Sequence, residues 1–161
     1  MAEPVLKHRA RPMYTYNKIA HPVHFPDPIN ISILFGEDLN LREVLSPLRY
    51  FLTSYSISIE IPSGFITDYA SVPRLFWSWI PPWGEYGPAA ILHDYLYDNP
   101  AGLLVPNPDN PCSNTKPTRR IADKIFLIAM EQLDVSWAKR TLIYQTTRCV
   151  GGPYYNKYRS R

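Results

Sequence analysis

The sequence predicts an α+β protein, with a small antiparallel sheet in the N-terminal half followed by three to four helices. Two patterns carry this prediction. Hydrophobic residues alternate strictly from Tyr55 to Ile61, which is typical of a half-buried strand. In the C-terminal half, apolar residues recur with helical spacing over residues 119–133, and a last helix is predicted over residues 136–150. Strands followed by helices are the order expected of an α+β fold.

The distribution of proline helps to divide the chain into an arm, a domain and a tail. The 161 residues include 17 prolines, about twice the usual share of roughly 5%. Residues 1–30 are proline-rich and show no persistent period, so we predict an extended N-terminal arm with one short strand near Met13–Ile19. Residues 31–152 are predicted to form a single domain, and residues 153–161 a basic, aromatic C-terminal tail.

The N-terminal half offers three further predictions. The apolar run Ile31–Phe35 is followed by a weakly helical stretch over Asn40–Leu45. In the strand Tyr55–Ile61 the odd-numbered side chains share one face. Pro62-Ser63-Gly64 predicts a turn, after which Phe65–Thr67 is expected to return as the second arm of a hairpin.

The helices of the second half are bounded by capping and breaking residues. Ser71 and Thr118 are candidate N-caps, and Gly151-Gly152-Pro153 predicts the end of the last helix. Five prolines make residues 99–117 a predicted long loop. The predicted helices cover residues 72–80, 88–98, 119–133 and 136–150.

Composition and motifs exclude several classes. The net charge of +3 is weak support for a polyanionic partner, and no phosphate loop or nucleic-acid motif is present, so no specific nucleic-acid binding is expected. The N-terminus has no apolar signal-peptide core, and no transmembrane segment is expected. Cys112 and Cys149 do not fit a zinc site, and whether they pair is open.

One constellation has the residue types of a catalytic site. His93 and Tyr97 are four residues apart and therefore share one face of a predicted helix, while Asp94 is turned about 100° away and cannot bond the His93 ring. Asp123 lies in line with an apolar stripe of another helix and is therefore expected to be buried. A buried carboxylate needs donors, which His93 and Tyr97 offer. A buried aspartate that orients a histidine indicates a general base. The alternative is a satisfied polar core that joins two helices.

A second cluster lies at the predicted strand-to-helix junction. It contains the candidate binding residues Thr67, Asp68, Ser71 and Arg74. Either Asp68 and Ser71 cap the helix start, with Arg74 paired to Asp68, or Asp68 or Arg74 lies at the mouth of the His93 pocket as a cation ligand or an anion clamp. Trp83 belongs to an aromatic stretch that either packs in the core or forms a rim contacting a partner or lipid.

Residues 64–97 resemble an uncharacterised protein family found largely in tailed phages and prophages. The motifs are GFITDYASVPR (64–74), PPWGEYGPAAILHDYLY (81–97) and Ala122-Asp123-x-x-Phe126. The resemblance implies a phage or prophage origin and suggests a tail or baseplate role. The expected location is the virion tail after synthesis in the host cytoplasm, with the N-terminal arm and C-terminal tail contacting other tail or baseplate proteins.

The pattern His93-Asp94-x-x-Tyr97, with Asp123 on another helix, also resembles the active-site motif of phospholipase A2 enzymes. This resemblance implies that His93 activates water, that Asp123 orients His93, that Asp94 binds calcium and that Tyr97 hydrogen-bonds Asp123. It departs from the family in lacking a glycine-rich calcium loop, since only Gly84 and Gly87 precede the helix.

Three functions follow from these patterns, and the first is the primary prediction, with the His93 pocket as a candidate active site. The first is a virion-associated tail or baseplate protein, which mass spectrometry of purified particles would detect. The second is a hydrolase, specifically a calcium-dependent lipid esterase using His93 and Asp123. The third is a cytoplasmic phage accessory protein that binds a small ligand in the same pocket.

The calcium prediction is tested by isothermal titration calorimetry. Calcium binding that Asp94→Ala abolishes would make the lipid esterase the leading interpretation, because a hard cation requires carboxylate oxygens. Absence of heat with the wild-type protein would remove calcium from the interpretation of this pocket.

Overall fold

The structure is a computed structural model that describes residues 14–16, 24–34, 41–52, 57–67, 85–98, 105–107, 110–115 and 118–159. The predicted α+β arrangement is confirmed, with strands preceding the helices and one further hairpin between the first two helices. The strands are β1 Tyr14–Tyr16, β2 Ile29–Leu34, β3 Leu41–Val44, β4 Leu48–Leu52, β5 Ile57–Ile61, β6 Ile66–Thr67, β7 Val105–Asn107 and β8 Asn110–Thr115. The helices are α1 Gly87–Asp98, α2 Arg119–Gln132 and α3 Trp137–Arg159.

The strands form three antiparallel sheets. The largest has the order β1-β2-β3-β6, and the pairs β4-β5 and β7-β8 are separate ribbons. In β5, Ile59 and Ile61 are buried whereas Ser58 and Glu60 are exposed, as the alternation predicts. Two-residue periodicity therefore identified both the strand and its inward face.

The predicted hairpin between β5 and Phe65–Thr67 is wrong, because β6 pairs with β3 and β5 pairs with β4. The turn redirects the chain towards β3. Gly64 adopts a φ of 85°, and its N–H donates to the carbonyl of Val44 at 2.7 Å. The N–H of Val44 in turn donates to the carbonyl of Phe65 at 2.9 Å. These bonds continue the β3–β6 ladder across the turn.

The weakly helical prediction for Asn40–Leu45 is also wrong, because Leu41–Val44 forms β3. This strand is hydrogen-bonded to β2 on one side and β6 on the other. Arg42 and Val44 point inwards and are buried. Pairing on both edges with alternating burial outweighs a weak local helical preference.

Part of the predicted loop 99–117 is regular, since β7 and β8 form an antiparallel ribbon within it. Pro106 and Pro111 lie in these strands. A two-stranded ribbon has only edge strands, where the missing proline N–H need not break a ladder. Composition alone therefore underestimated regular structure in this segment.

The predicted arm also contributes to the domain in its described part. β1 extends the main sheet, and Phe25 is buried against Tyr50 with ring centroids 4.8 Å apart. Buried hydrophobic side chains from the described strands and helices pack together in a hydrophobic core that includes Phe25 and Tyr50. Tyr50 further links β4 to α2, because its hydroxyl donates to Gln132 at 2.6 Å.

Two predicted helices match the structure closely. α1 begins within one residue of the prediction, and α2 begins after Thr118, whose hydroxyl accepts the N–H of Ile121 at 3.3 Å. The predicted helix 72–80 lies outside the described residues. Within the described ranges, no helix is both long and apolar enough to cross a bilayer.

The predicted end of the last helix at Gly151-Gly152-Pro153 is wrong, because α3 continues to Arg159. Tertiary contacts support the continuation. Arg119 of α2 donates to the carbonyls of Thr147, at 3.2 Å, and Arg148. Beyond the proline, the ring of Tyr155 packs edge-on against Tyr97 at 5.1 Å. Contacts on both sides of Pro153 thus hold α3 against α2 and α1.

Gly151 allows α3 to approach α1. A Cβ at this position would lie 3.1 Å from the hydroxyl oxygen of Tyr97. Gly151→Ala would gain about 1 kcal/mol of helix propensity, but crowding a buried group costs about 1–3 kcal/mol. We expect the free energy of unfolding, measured with urea, to fall in the wild-type background.

The matched background is Tyr97→Phe, which removes the crowded oxygen. There Gly151→Ala is expected to raise the free energy of unfolding instead, since only the propensity gain remains. An equal effect in the two backgrounds would show that this contact does not require the glycine.

Candidate functional site

The three helices converge on the carboxylate of Asp123. α1 carries His93 and Tyr97 one turn apart, so that both side chains point towards α2. Nε2 of His93 lies 2.9 Å from Oδ1 of Asp123, and the hydroxyl of Tyr97 donates to the same oxygen at 2.5 Å. The structure therefore brings together the three residues that the sequence nominated as catalytic, and their roles stay predictions.

The other oxygen of Asp123 is held by α3 and by the start of α2. Nη1 of Arg148 donates to Oδ2 at 2.7 Å, and Nε of Arg119 lies 3.7 Å from it. Asp123 itself is fully buried. A desolvated carboxylate requires such compensation, since an unpaired buried charge is strongly destabilising.

The two ring nitrogens of His93 have different surroundings. Its ring packs between Tyr97 and Phe126, with centroid distances of 4.1 and 4.7 Å. Nε2 faces Asp123, whereas Nδ1 is buried and has no hydrogen-bond partner among the described residues. Pairing of Nε2 with a carboxylate favours the tautomer with the proton on Nε2, which leaves a lone pair on Nδ1.

Asp94 lies beside the unpaired nitrogen. Its Oδ1 is 3.8 Å from Nδ1 of His93, which is beyond hydrogen-bonding distance, in agreement with the expectation from helix geometry. Its Oδ2 accepts a hydrogen bond from the hydroxyl of Thr67, a buried residue of β6. Through this contact, strand β6 of the sheet reaches the side of the site where Nδ1 of His93 lies.

The buried groups of the site shift one another's pKa values. Burial opposes the charged imidazole, but the carboxylates of Asp123 and Asp94 outweigh it and raise the pKa of His93 above the usual 6.5. Burial would raise the pKa of Asp123, yet the hydrogen bonds from His93, Tyr97 and Arg148 hold it below the usual 3.8. Burial, followed by the Asp123 carboxylate, raises the pKa of Tyr97, so its hydroxyl remains a donor.

Sequence reasoning missed the two arginines. Arg119 precedes Asp123 by four residues, a helical ion-pair spacing that could have identified it. Arg148 lies 25 residues beyond Asp123, and no local pattern relates the two positions. Their contact depends on how α3 packs against α2.

The remaining predicted site residues divide into two groups. Thr67 lies at the site, as described above. The others fall outside the described residues, so their predicted roles are not addressed by the structure: Asp68, Ser71, Arg74 and Trp83.

The calcium prediction concerns the carboxylates of this site. A calcium ion takes six to eight oxygen ligands. Among the described residues, no group of three or more His, Cys, Asp or Glu side chains could hold a metal ion. Asp123 is engaged by His93, Tyr97 and Arg148. Calcium binding stays a prediction.

The structure describes the side chain of one of the two cysteines. Cys149 is exposed and has a free thiol. The side chain of Cys112 lies outside the part of the structure described.

A family model with the description "Protein of unknown function (DUF1353)" matches residues 42–147. The chain belongs to this family. The matched region contains His93, Asp94, Tyr97 and Asp123, and it ends before Arg148. The resemblance to an uncharacterised family is thereby confirmed, while the phage origin stays a prediction. No curated protein and no solved structure matches the chain.

The raised pKa of His93 predicts a pH dependence of stability. The folded protein binds this proton more tightly than the unfolded chain does, so the contribution of His93 is full below about pH 6.5 and is lost as the pH rises through the folded pKa. We expect the free energy of unfolding to decrease over that range in urea titrations.

His93→Asn is the control, because it removes the titrating group. Its free energy of unfolding should vary less with pH above 6.5 than that of the wild-type protein. Identical pH profiles for the two proteins would contradict the raised pKa.

Proposed function

We propose that this protein is an ester hydrolase in which His93 acts as the general base and Asp123 orients it. The observation that carries the proposal is the unequal pairing of the imidazole. Nε2 contacts a buried carboxylate, while Nδ1 has no partner among the described residues. A general base needs this arrangement, since one nitrogen must be fixed and the other must accept a proton.

The proposed reaction begins with neutral His93, which has its proton on Nε2. A water molecule transfers a proton to Nδ1 while its oxygen bonds to the ester carbonyl carbon. Asp123 stabilises the resulting imidazolium across the 2.9 Å contact. The imidazolium then returns the proton to the departing alkoxide, which leaves an acid and an alcohol as products.

Tyr97 and Arg148 support this chemistry through Asp123. Each donates to a different carboxylate oxygen, so Asp123 stays ionised and fixed in orientation. A proton transfer from His93 to Asp123 is thereby disfavoured, and the charge of the imidazolium remains paired.

A polar network that merely joins helices is the alternative. Such a network usually satisfies all its buried polar atoms. Two atoms of this network depart from that rule, Nε of Arg119 and Nδ1 of His93. The second is the atom where a base would act, and this supports the catalytic interpretation. Nδ1 is buried in this structure, so hydrolysis requires that water and an ester gain access to it.

Lipid esters are the first substrates to test, because the His93-Asp94-x-x-Tyr97 motif resembles that of phospholipase A2 enzymes. The tail or baseplate location, the contacts with lipid and with other tail proteins, and synthesis in the host cytoplasm remain predictions from sequence resemblance. They are compatible with hydrolysis, since a virion tail can carry an enzyme that breaches an envelope.

The proposal predicts the effect of His93→Asn on hydrolysis of p-nitrophenyl esters and phospholipid vesicles. Loss of a general base lowers the rate by about 10²–10⁴-fold. Tyr97→Phe should lower it less, since Asp123 would retain His93 and Arg148. The wild-type rate should rise with pH through an apparent pKa above 6.5, because only neutral imidazole accepts the proton.

His24→Asn is the matched control, because His24 bonds the carbonyl of Phe51 away from the site. It should retain the wild-type rate, and circular dichroism should show that all variants fold. Hydrolysis by His93→Asn at the wild-type rate would refute the proposed role of His93.

A further inference from the structure

Arg119 links the start of α2 to α3 at the residue that holds Asp123. Its Nη2 donates to the carbonyl of Thr147 at 3.2 Å and to the carbonyl of Arg148. A helical carbonyl oxygen has a second lone pair, so it can accept from a side chain as well as from the backbone. Charged donors make the stronger bonds of this kind. Arg119 therefore holds the backbone of the residue whose side chain bonds Asp123.

Gly151 and Gly152 provide the surface of α3 against which this guanidinium lies. A Cβ at Gly152 would stand 3.3 Å from Nη1 of Arg119, and a Cβ at Gly151 would stand 3.5 Å from Nη2. Both positions thus face the guanidinium, and the absence of side chains lets it approach the helix. The pair of glycines that predicts a helix end instead lets α2 and α3 meet around one cation.

Arg119 and Arg148 reach the carboxylate of Asp123 in different ways. Nη1 of Arg148 donates to Oδ2 at 2.7 Å, whereas Nε of Arg119 lies 3.7 Å from the same oxygen. The longer separation exceeds a hydrogen bond. Arg119 therefore acts on Asp123 directly only through its charge, while its hydrogen bonds go to the backbone of α3.

We propose that Arg119 is a positioning residue that acts through Arg148. By fixing the backbone of α3, it places the guanidinium of Arg148 on Asp123, and so sets the charge that Asp123 presents to His93. For its effect on the rate, the proposal rests on the hydrolase function argued above. Its effect on the proton affinity of His93 requires no hydrolysis.

The direction of the effect follows from the charges around the imidazole. Carboxylates favour the imidazolium, and a cation bound to Asp123 neutralises part of that carboxylate. Release of Arg148 therefore raises the pKa of His93 further. The described charged or titratable groups of this network are Asp94 and Tyr97 of α1, Asp123 and Arg119 of α2, and Arg148 of α3, and β6 contributes the uncharged Thr67.

Arg119→Lys tests the proposal, because lysine keeps the charge near Asp123 but lacks the rigid guanidinium that reaches both carbonyls. We expect the pKa of His93, measured by NMR titration of the full chain, to rise by up to about 1. The pH–rate profile for p-nitrophenyl esters should shift to higher pH by the same amount. Arg148→Met should raise the pKa of His93 in the same direction.

Arg140→Lys is the matched control, because Arg140 joins α2 and α3 away from Asp123. It donates to the carbonyl of Val135 at 3.2 Å and to the carboxylate of Glu131 at 2.9 Å. This variant should leave the pKa of His93 unchanged, whether or not it lowers the free energy of unfolding. Urea unfolding of every variant, with titrations performed well below its unfolding transition, separates positioning from loss of helix packing.

A double variant shows whether Arg119 acts through Arg148. In the Arg148→Met background, Arg119→Lys should change the pKa of His93 little, since the group that it positions is absent. An equal rise in both backgrounds would refute this route, and so would an unchanged pKa in Arg119→Lys or in Arg148→Met. If the expected shifts occur but the wild-type protein shows no hydrolysis that depends on His93, the hydrolase function fails and the positioning role of Arg119 stands.

Discussion

The carboxylate of Asp123 is the group on which the packing of the three helices depends. It is fully buried and receives hydrogen bonds from α1 through His93 and Tyr97 and from α3 through Arg148. Removing one member of a buried charged network costs about 3–5 kcal/mol, because the remaining charge is left without compensation. The three helices must therefore keep the mutual positions that satisfy this one side chain.

That constraint has a chemical consequence for His93. Since Nε2 is committed to Asp123, the tautomer and orientation of the ring are fixed, and Nδ1 is directed towards Asp94. The sheet meets the helices at this point through Thr67. The same network thus holds the helices together and leaves one nitrogen beside a second carboxylate. Structural stability and the proposed chemistry share their residues, which is a common feature of preorganised sites.

Local patterns in the sequence were sufficient to predict much of the fold and the contacts at the centre of the site. Two-residue alternation identified β5, and a capping threonine with helical periodicity identified α2 almost to the residue. The spacing of His93 and Tyr97, together with a carboxylate on an apolar helix face, identified the contacts with Asp123. These inferences succeed because periodicity and capping act over a few neighbouring residues, and because a buried charge must find donors.

Only the tertiary structure decided the pairing of the strands and the course of α3. A short strand such as β6 carries no signal that selects β3 over β5, since the choice depends on backbone bonds between distant segments. Gly151-Gly152-Pro153 normally ends a helix, but Arg119 and Tyr97 support α3 through it. Packing of α3 against α2 also brings Arg148 to Asp123. The sequence by itself determined which groups needed partners, and packing determined which partners came within reach, because long-range contacts arise from the whole fold and not from local spacing.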